Sequence, residues 1–209
     1  MSLIPEQDEQ ERPGRSRVAT AAMTIGGFVL LLWVIELVDT VMGHRLDSFG
    51  IRPWNPSGLS GILFAPLLHL GWGHLIANTG PLLVLGFVIL LSGVGAWLRV
   101  TAVVWLVGGI GTWLTGGPGS LHLGASGLVF GWIVYLVLRG VFTRSVLQIA
   151  LGVVILLAYG AVLWGVFPGQ TGISWQGHLF GAIGGGLAAR LEKPRQDSPE
   201  VWPPTRTNQ

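Results

Sequence analysis

Residues 116–142 read Gly116-Gly-Pro-Gly-Ser-Leu-His-Leu-Gly124-Ala-Ser126-Gly-Leu-Val-Phe130-Gly-Trp-Ile-Val-Tyr-Leu-Val-Leu-Arg-Gly-Val-Phe142. A glycine-rich loop runs into an apolar segment whose one charged residue is Arg139. The apolar part, residues 125–142, is short for a full bilayer crossing, which takes about 20 residues. A short helix can begin at mid-depth when the loop before it is buried in protein or lines a watery cavity. Ser126 would then stand at the top of a helix, below the membrane surface. Polar groups held at that depth are costly, and they mark function.

The rest of the chain fits this setting. Of its 209 residues 50% are hydrophobic and only 11% charged, against about 25% charged in a soluble domain. Mean hydropathy is +0.62. Five further apolar segments run at 18–40, 74–94, 96–115, 145–165 and 176–190. The fold class expected is therefore all-α: a polytopic bundle of six transmembrane helices over residues 18–193. The second and third segments meet at Ser92-Gly-Val-Gly95 and form a tight hairpin. Residues 1–17 and 194–209 are polar and proline-bearing, and read as disordered cytoplasmic tails. The first segment follows Arg12, Arg15 and Arg17 but has no small-x-small cleavage site, so it reads as a retained helix rather than a signal peptide. Cysteine is absent, which excludes disulfides, a thiolate nucleophile and cysteine-based metal sites.

The positive charges give an orientation. With the N-terminus in the cytoplasm, ten basic residues fall inside and only Arg45 and Arg52 fall outside. Basic residues collect in cytoplasmic loops, so both termini are expected there, in the plasma membrane. The pI near 9.7 has the same origin. No basic run is interleaved with aromatics, so no nucleic-acid partner is expected. The loops 41–73, 116–124 and 166–175 then share the outer side, and His74, Asn78, Ser126 and His178 all sit near the outer ends of their segments.

Between Asp47 and Glu192 there is no Asp or Glu. If Ser126 is a nucleophile, its base is a histidine without a carboxylate. His178 is the candidate, in Gly177-His178-Leu-Phe-Gly181-Ala-Ile-Gly184-Gly185. Gly177, Gly181 and Gly185 recur every four residues, the spacing that lets membrane helices approach closely. If the partner is the Ser126 helix, His178 can reach the hydroxyl. His74 and Asn78, four apart, share one helical face. Side-chain donors of this kind can hold the oxyanion of a tetrahedral intermediate. His69 lies just before that helix. Gly124 and Gly127 permit a sharp turn around Ser126.

Taken together, His69-x4-His74-x3-Asn78, Gly124-x-Ser126-Gly127 and His178-x2-Gly181-x3-Gly185, in this order on six segments, resemble the rhomboid family of intramembrane serine proteases. The resemblance covers roughly residues 18–190, and Phe49-Gly-Ile-Arg-Pro53 resembles bacterial members. It implies Ser126 as nucleophile and His178 as base. It also implies an oxyanion hole from His74, Asn78 and the Ser126 N–H, with Gly124 shaping the turn. The expected substrates are transmembrane proteins, entering beside the fifth helix, and no metal or cofactor is expected. Phe130 replaces a tyrosine that many members place beneath the base histidine. The first outer loop is compact, with Arg52, Trp54 and Trp72 but no Trp-Arg pair.

Three other readings stand beside this one. A metalloprotease would use His69, His74 and His178 as ligands, but the chain lacks a His-Glu-x-x-His helix and any core carboxylate. An inactive rhomboid-like protein would bind membrane clients without cleaving them, yet both Ser126 and His178 are present. A transporter would show repeats and charges along a path. Here Glu36 and Asp39 read as interfacial polar residues of the first helix instead.

Overall fold

The computed structural model describes residues 13–170 and 172–192. Its order is α1 (Pro13–Val41), the one-turn α2 (Gly61–Phe64), α3 (Trp72–Leu90), α4 (Val94–Thr115), α5 (Ser126–Thr143), α6 (Val146–Tyr159) and α7 (Trp175–Arg190). The six long helices match the six apolar segments, and α2 is an addition inside the first long loop. Five spans are long and apolar enough to cross a membrane: α1, α3, α4, α5, and α6 with its continuation to Val166. The sixth, α7, has 16 residues. The first helix begins at Pro13, five residues ahead of the expected start; the rest of both expected tails lies outside the described residues.

Local chemistry sets the ends. The chain leaves α4 at Gly116 in an extended conformation, ahead of Gly117 and Pro118. α6 opens on Ser145 and α7 on Ser174, whose side chains accept from Gln148 N and Gly177 N, satisfying donors that a helix start leaves open. The segment 145–165 is not one α-helix as expected. It tightens after Tyr159 into a 3-10 helix, Gly160–Val166, where Gly160 and Gly165 weaken α-helical preference.

Alternating connections put the loops 42–71, 116–125 and 167–174 at one end of the bundle. Direct bonds join them. Ile51 and His122 exchange backbone hydrogen bonds of 2.8 and 3.0 Å. Three indoles pin the first loop: Trp105 Nε1 donates to Ile62 O at 2.8 Å, Trp113 Nε1 to Asn55 O at 3.0 Å, and Trp54 Nε1 to Gly116 O at 3.2 Å.

The core is built around α5, whose Trp132, Ile133 and Tyr135 are fully buried. α7 is wedged between α5 and α4, and glycines make both contacts. A Cβ at Gly181 would run into the Gly127 carbonyl, and one at Gly185 into that of Gly131. On the other face, a Cβ at Gly184 would lie 2.9 Å from Val104 Cα. α6 is different. It leans on α5, with only Gly152 and Ile155 buried.

Candidate active site

Ser126 is the first residue of α5. The turn before it is held in place at consecutive residues. Gly124 takes φ +122, a conformation natural only to glycine, and a Cβ there would strike the His74 ring. Its N–H donates to Ala65 O at 2.8 Å, and the Ala125 N–H donates to His69 Nε2 at 3.4 Å. The Ser126 N–H, at the head of the helix, has no acceptor within its own helix.

His178 lies in the first turn of α7, beside the glycine seam with α5. Backbone contact across that seam brings its Nε2 to 2.8 Å from Ser126 Oγ. Its Nδ1 is 3.0 Å from Gly165 O. A carbonyl can only accept, so Nδ1 carries the ring proton and Nε2 is free to accept from the serine hydroxyl. Phe130 stacks on the imidazole, centroids 3.9 Å apart and planes 11° apart. No carboxylate among the described residues bonds His178. The geometry places the imidazole to accept the Ser126 hydroxyl proton, with Gly165 O as its other partner.

Asn78 Nδ2 donates to His74 O at 3.1 Å, which leaves its second N–H for another acceptor. The His74 ring packs against Gly124 and edge-on to His69, centroids 5.2 Å apart. Burial, and then His74, push the His69 imidazole down to about 3. It is neutral at physiological pH, as an acceptor of the Ala125 N–H must be. A cavity of about 50 Å³ opens among Ser126, Gly124, His122, Ser174, Gly177 and Thr112, and one water needs only about 10–15 Å³ of such volume. His69, His74 and His178 do not come together as a ligand set. Among the described residues, the group with ligand atoms close enough to share an ion is Asp39, His44 and Asp47.

The rhomboid domain model matches residues 56–194, from just before α2 to just beyond α7. The chain belongs to the rhomboid family. It is a multi-pass membrane protein. Uncharacterized proteins of Mycobacterium tuberculosis (strain ATCC 25618 / H37Rv) and Mycobacterium leprae (strain TN) are 48% and 49% identical to it, over 195 and 204 residues. The matches cover 90% and 91% of this chain and 81% of each relative. The "Putative rhomboid protease YdcA" of Bacillus subtilis (strain 168) is 28% identical over 157 residues, 73% of this chain and 74% of that protein.

Two parts of this rhomboid's site were not foreseen from sequence. One is Gly165, whose carbonyl orients His178. A Cβ there would lie 2.8 Å from Phe130 Cζ and 3.0 Å from His178 Nδ1, so the close approach depends on glycine. The other is a chain of hydrogen bonds through His122. Ser120 Oγ donates to Gly117 O, so His122 Nε2–H donates to Ser120 Oγ at 2.7 Å. His122 Nδ1 then accepts from Ser174 Oγ at 2.7 Å, and Ser174 Oγ accepts the Gly177 N–H at 3.2 Å. Burial pushes the His122 pKa down, which suits this neutral relay. It fastens the loop before Ser126 to the helix start that carries His178.

Proposed function

We propose that this rhomboid is an intramembrane serine endopeptidase, cleaving peptide bonds in or near transmembrane segments of other membrane proteins with a Ser126–His178 dyad and no carboxylate. The supporting observation is the 2.8 Å approach of His178 Nε2 to Ser126 Oγ, with the ring tautomer set by Gly165 O. His178 takes the hydroxyl proton as Ser126 Oγ attacks the scissile carbonyl. The Ser126 N–H, the free Asn78 N–H and the His74 ring stabilise the oxyanion. The C–N bond then breaks, and His178 Nε2–H delivers its proton to the leaving amine. A water from the cavity beside Ser126, deprotonated by His178, attacks the acyl carbonyl and releases the acid product and free serine.

In this reading both termini are cytoplasmic, the site opens to the outer face of the plasma membrane, and substrate enters beside α6. Of the five long spans it is the least buried, and it rests mainly on α5.

A fluorophosphonate probe applied to the chain in liposomes tests the proposal. The parent is expected to label covalently, and Ser126→Ala not at all. Equal labelling of both would place the nucleophile elsewhere. No labelling of either would favour a client-binding protein without proteolytic activity.

Asn78 offers a graded test. Asn78→Ala removes one oxyanion donor, which is worth about 2.7–4 kcal/mol, or about 10²–10³ in kcat. The expected result is a drop in kcat with KM little changed, since the donor meets charge only in the transition state. A rise in KM alone would assign Asn78 to substrate binding.

A further inference from the structure

Four titratable side chains gather at the loop end of α1, and none hydrogen-bonds a residue of the Ser126 site. Glu36 and Asp39 are three apart on α1 and share a face. Both are buried, each 1% exposed. After Val41 the chain reverses through Gly43 and His44, both with positive φ. That reversal folds the His44 ring back, its Nδ1 3.3 Å from Asp39 Oδ2. It leads into the 3-10 turn Leu46–Phe49, which carries Asp47. Ligand atoms of Asp39, His44 and Asp47 all lie within 4.8 Å of one another.

Ordinary helix-end bonding explains part of this cluster. Asp39 Oδ1 accepts the Leu46 N–H at 2.6 Å. It leaves the rest unexplained. Glu36 Oε1 and Asp47 Oδ1 are buried with no hydrogen-bond partner. The charged groups around Glu36 are Asp39, Asp47 and His44. Among the described residues no Arg or Lys pairs with any of the three carboxylates; His44 is their one ion-pair contact. Carboxylates collected out of water without a cation are costly.

We propose that Asp39, His44 and Asp47 form a binding site for a divalent transition-metal cation, zinc being the probe of choice, with the unpartnered Glu36 carboxylate adding negative charge beside it. The donor set decides the class. Calcium and magnesium favour all-oxygen shells, whereas a mixed imidazole–carboxylate shell suits zinc or manganese. Zinc bonds of about 2.0–2.1 Å put tetrahedral ligands about 3.4 Å apart, so the donor atoms need only a modest contraction. The His44 side chain is 50% exposed, which gives the ion a way in from water. The bound cation clamps the start of the long outer loop onto α1 and takes no part in peptide hydrolysis.

The test uses untagged full-length chain in detergent, stripped with chelator and titrated with zinc chloride. One zinc per chain at micromolar concentration is expected, with a rise in melting temperature. His44→Ala and Asp47→Asn should each weaken zinc binding on the order of tenfold or more, given that even outer-shell changes cost 10–100-fold. Asp47→Asn should melt like the parent without metal, because it leaves in place both the acceptor of the Leu46 N–H and the His44–Asp39 contact. Cobalt(II) should give visible absorption in the parent and lose it in both variants. No stoichiometric zinc in the parent, or parent-like affinity in either variant, overturns the site.

Discussion

Ser126→Ala and His178→Ala should each slow cleavage of a transmembrane substrate in proteoliposomes by about 10⁴- to 10⁶-fold, and the double variant should be no slower than either single one. In the proposed mechanism the two side chains act as one device. Nε2 is 2.8 Å from Oγ, and no other base among the described residues bonds the hydroxyl. Without the imidazole the serine stays protonated; without the serine the imidazole has nothing to activate. What remains in either variant is the oxyanion site and substrate binding, so the losses do not add. The stabilities should differ. Ser126→Ala removes one oxygen at a helix start beside a cavity and should melt like the parent. His178→Ala removes the ring stacked on Phe130 and the donor to Gly165 O, leaving a void and a buried carbonyl unbonded. It should melt lower. The measurements are single-turnover rates and thermal melts of all four proteins. Additive losses, or more than a tenth of parental activity in a folded single variant, would require a second base.

The sequence made the long helices plain because each is a long apolar run broken by Gly, Pro or charge, and a bilayer demands such runs. Their ends moved by a few residues, because capping by Ser145 or Ser174 competes with hydropathy at those boundaries. Ser126, His178, His74 and Asn78 stood out for the same reason: polar groups in apolar surroundings are conspicuous. What stayed hidden has no such contrast. The structure inside the 42–71 loop consists of single turns of 3-10 or α-helix, too short for any periodicity. Gly165 contributes through its backbone carbonyl, which every residue has. His122, Ser120 and Ser174 are polar residues in polar loops, and only their meeting in space gives them a role. Glu36 and Asp39 were legible as polar residues in a membrane helix, but their companions His44 and Asp47 needed the chain reversal at residues 43–44.

Gly181→Leu should cost most of the activity although Gly181 has no side chain to take part in the chemistry. A Cβ at Gly181 would run into Gly127 O, with Gly127 C at 2.9 Å and Gly127 Cα at 3.1 Å. These are backbone atoms of the helix that begins at Ser126, so no rotamer change can relieve the clash. α5 and α7 must separate, and they carry the two halves of the dyad. Overpacking of this kind costs about 1–3 kcal/mol of stability. A shift of about 1 Å between reacting groups costs about 10²-fold in rate. Gly185→Val should act similarly one turn further from Ser126, where its Cβ would meet Gly131 O; the lever is longer, so the rate should suffer less than the melting temperature. Gly27→Ala is the control. It lies mid-helix in α1 with nothing within 4 Å of a Cβ, and should leave cleavage unchanged while tending to stabilise the chain by about 0.5–1 kcal/mol. Fluorophosphonate labelling rates and melting temperatures of the three variants test the gradient. Gly181→Leu labelling at the parental rate would mean that the Ser126–His178 distance does not depend on the glycine seam, and that some other contact sets it.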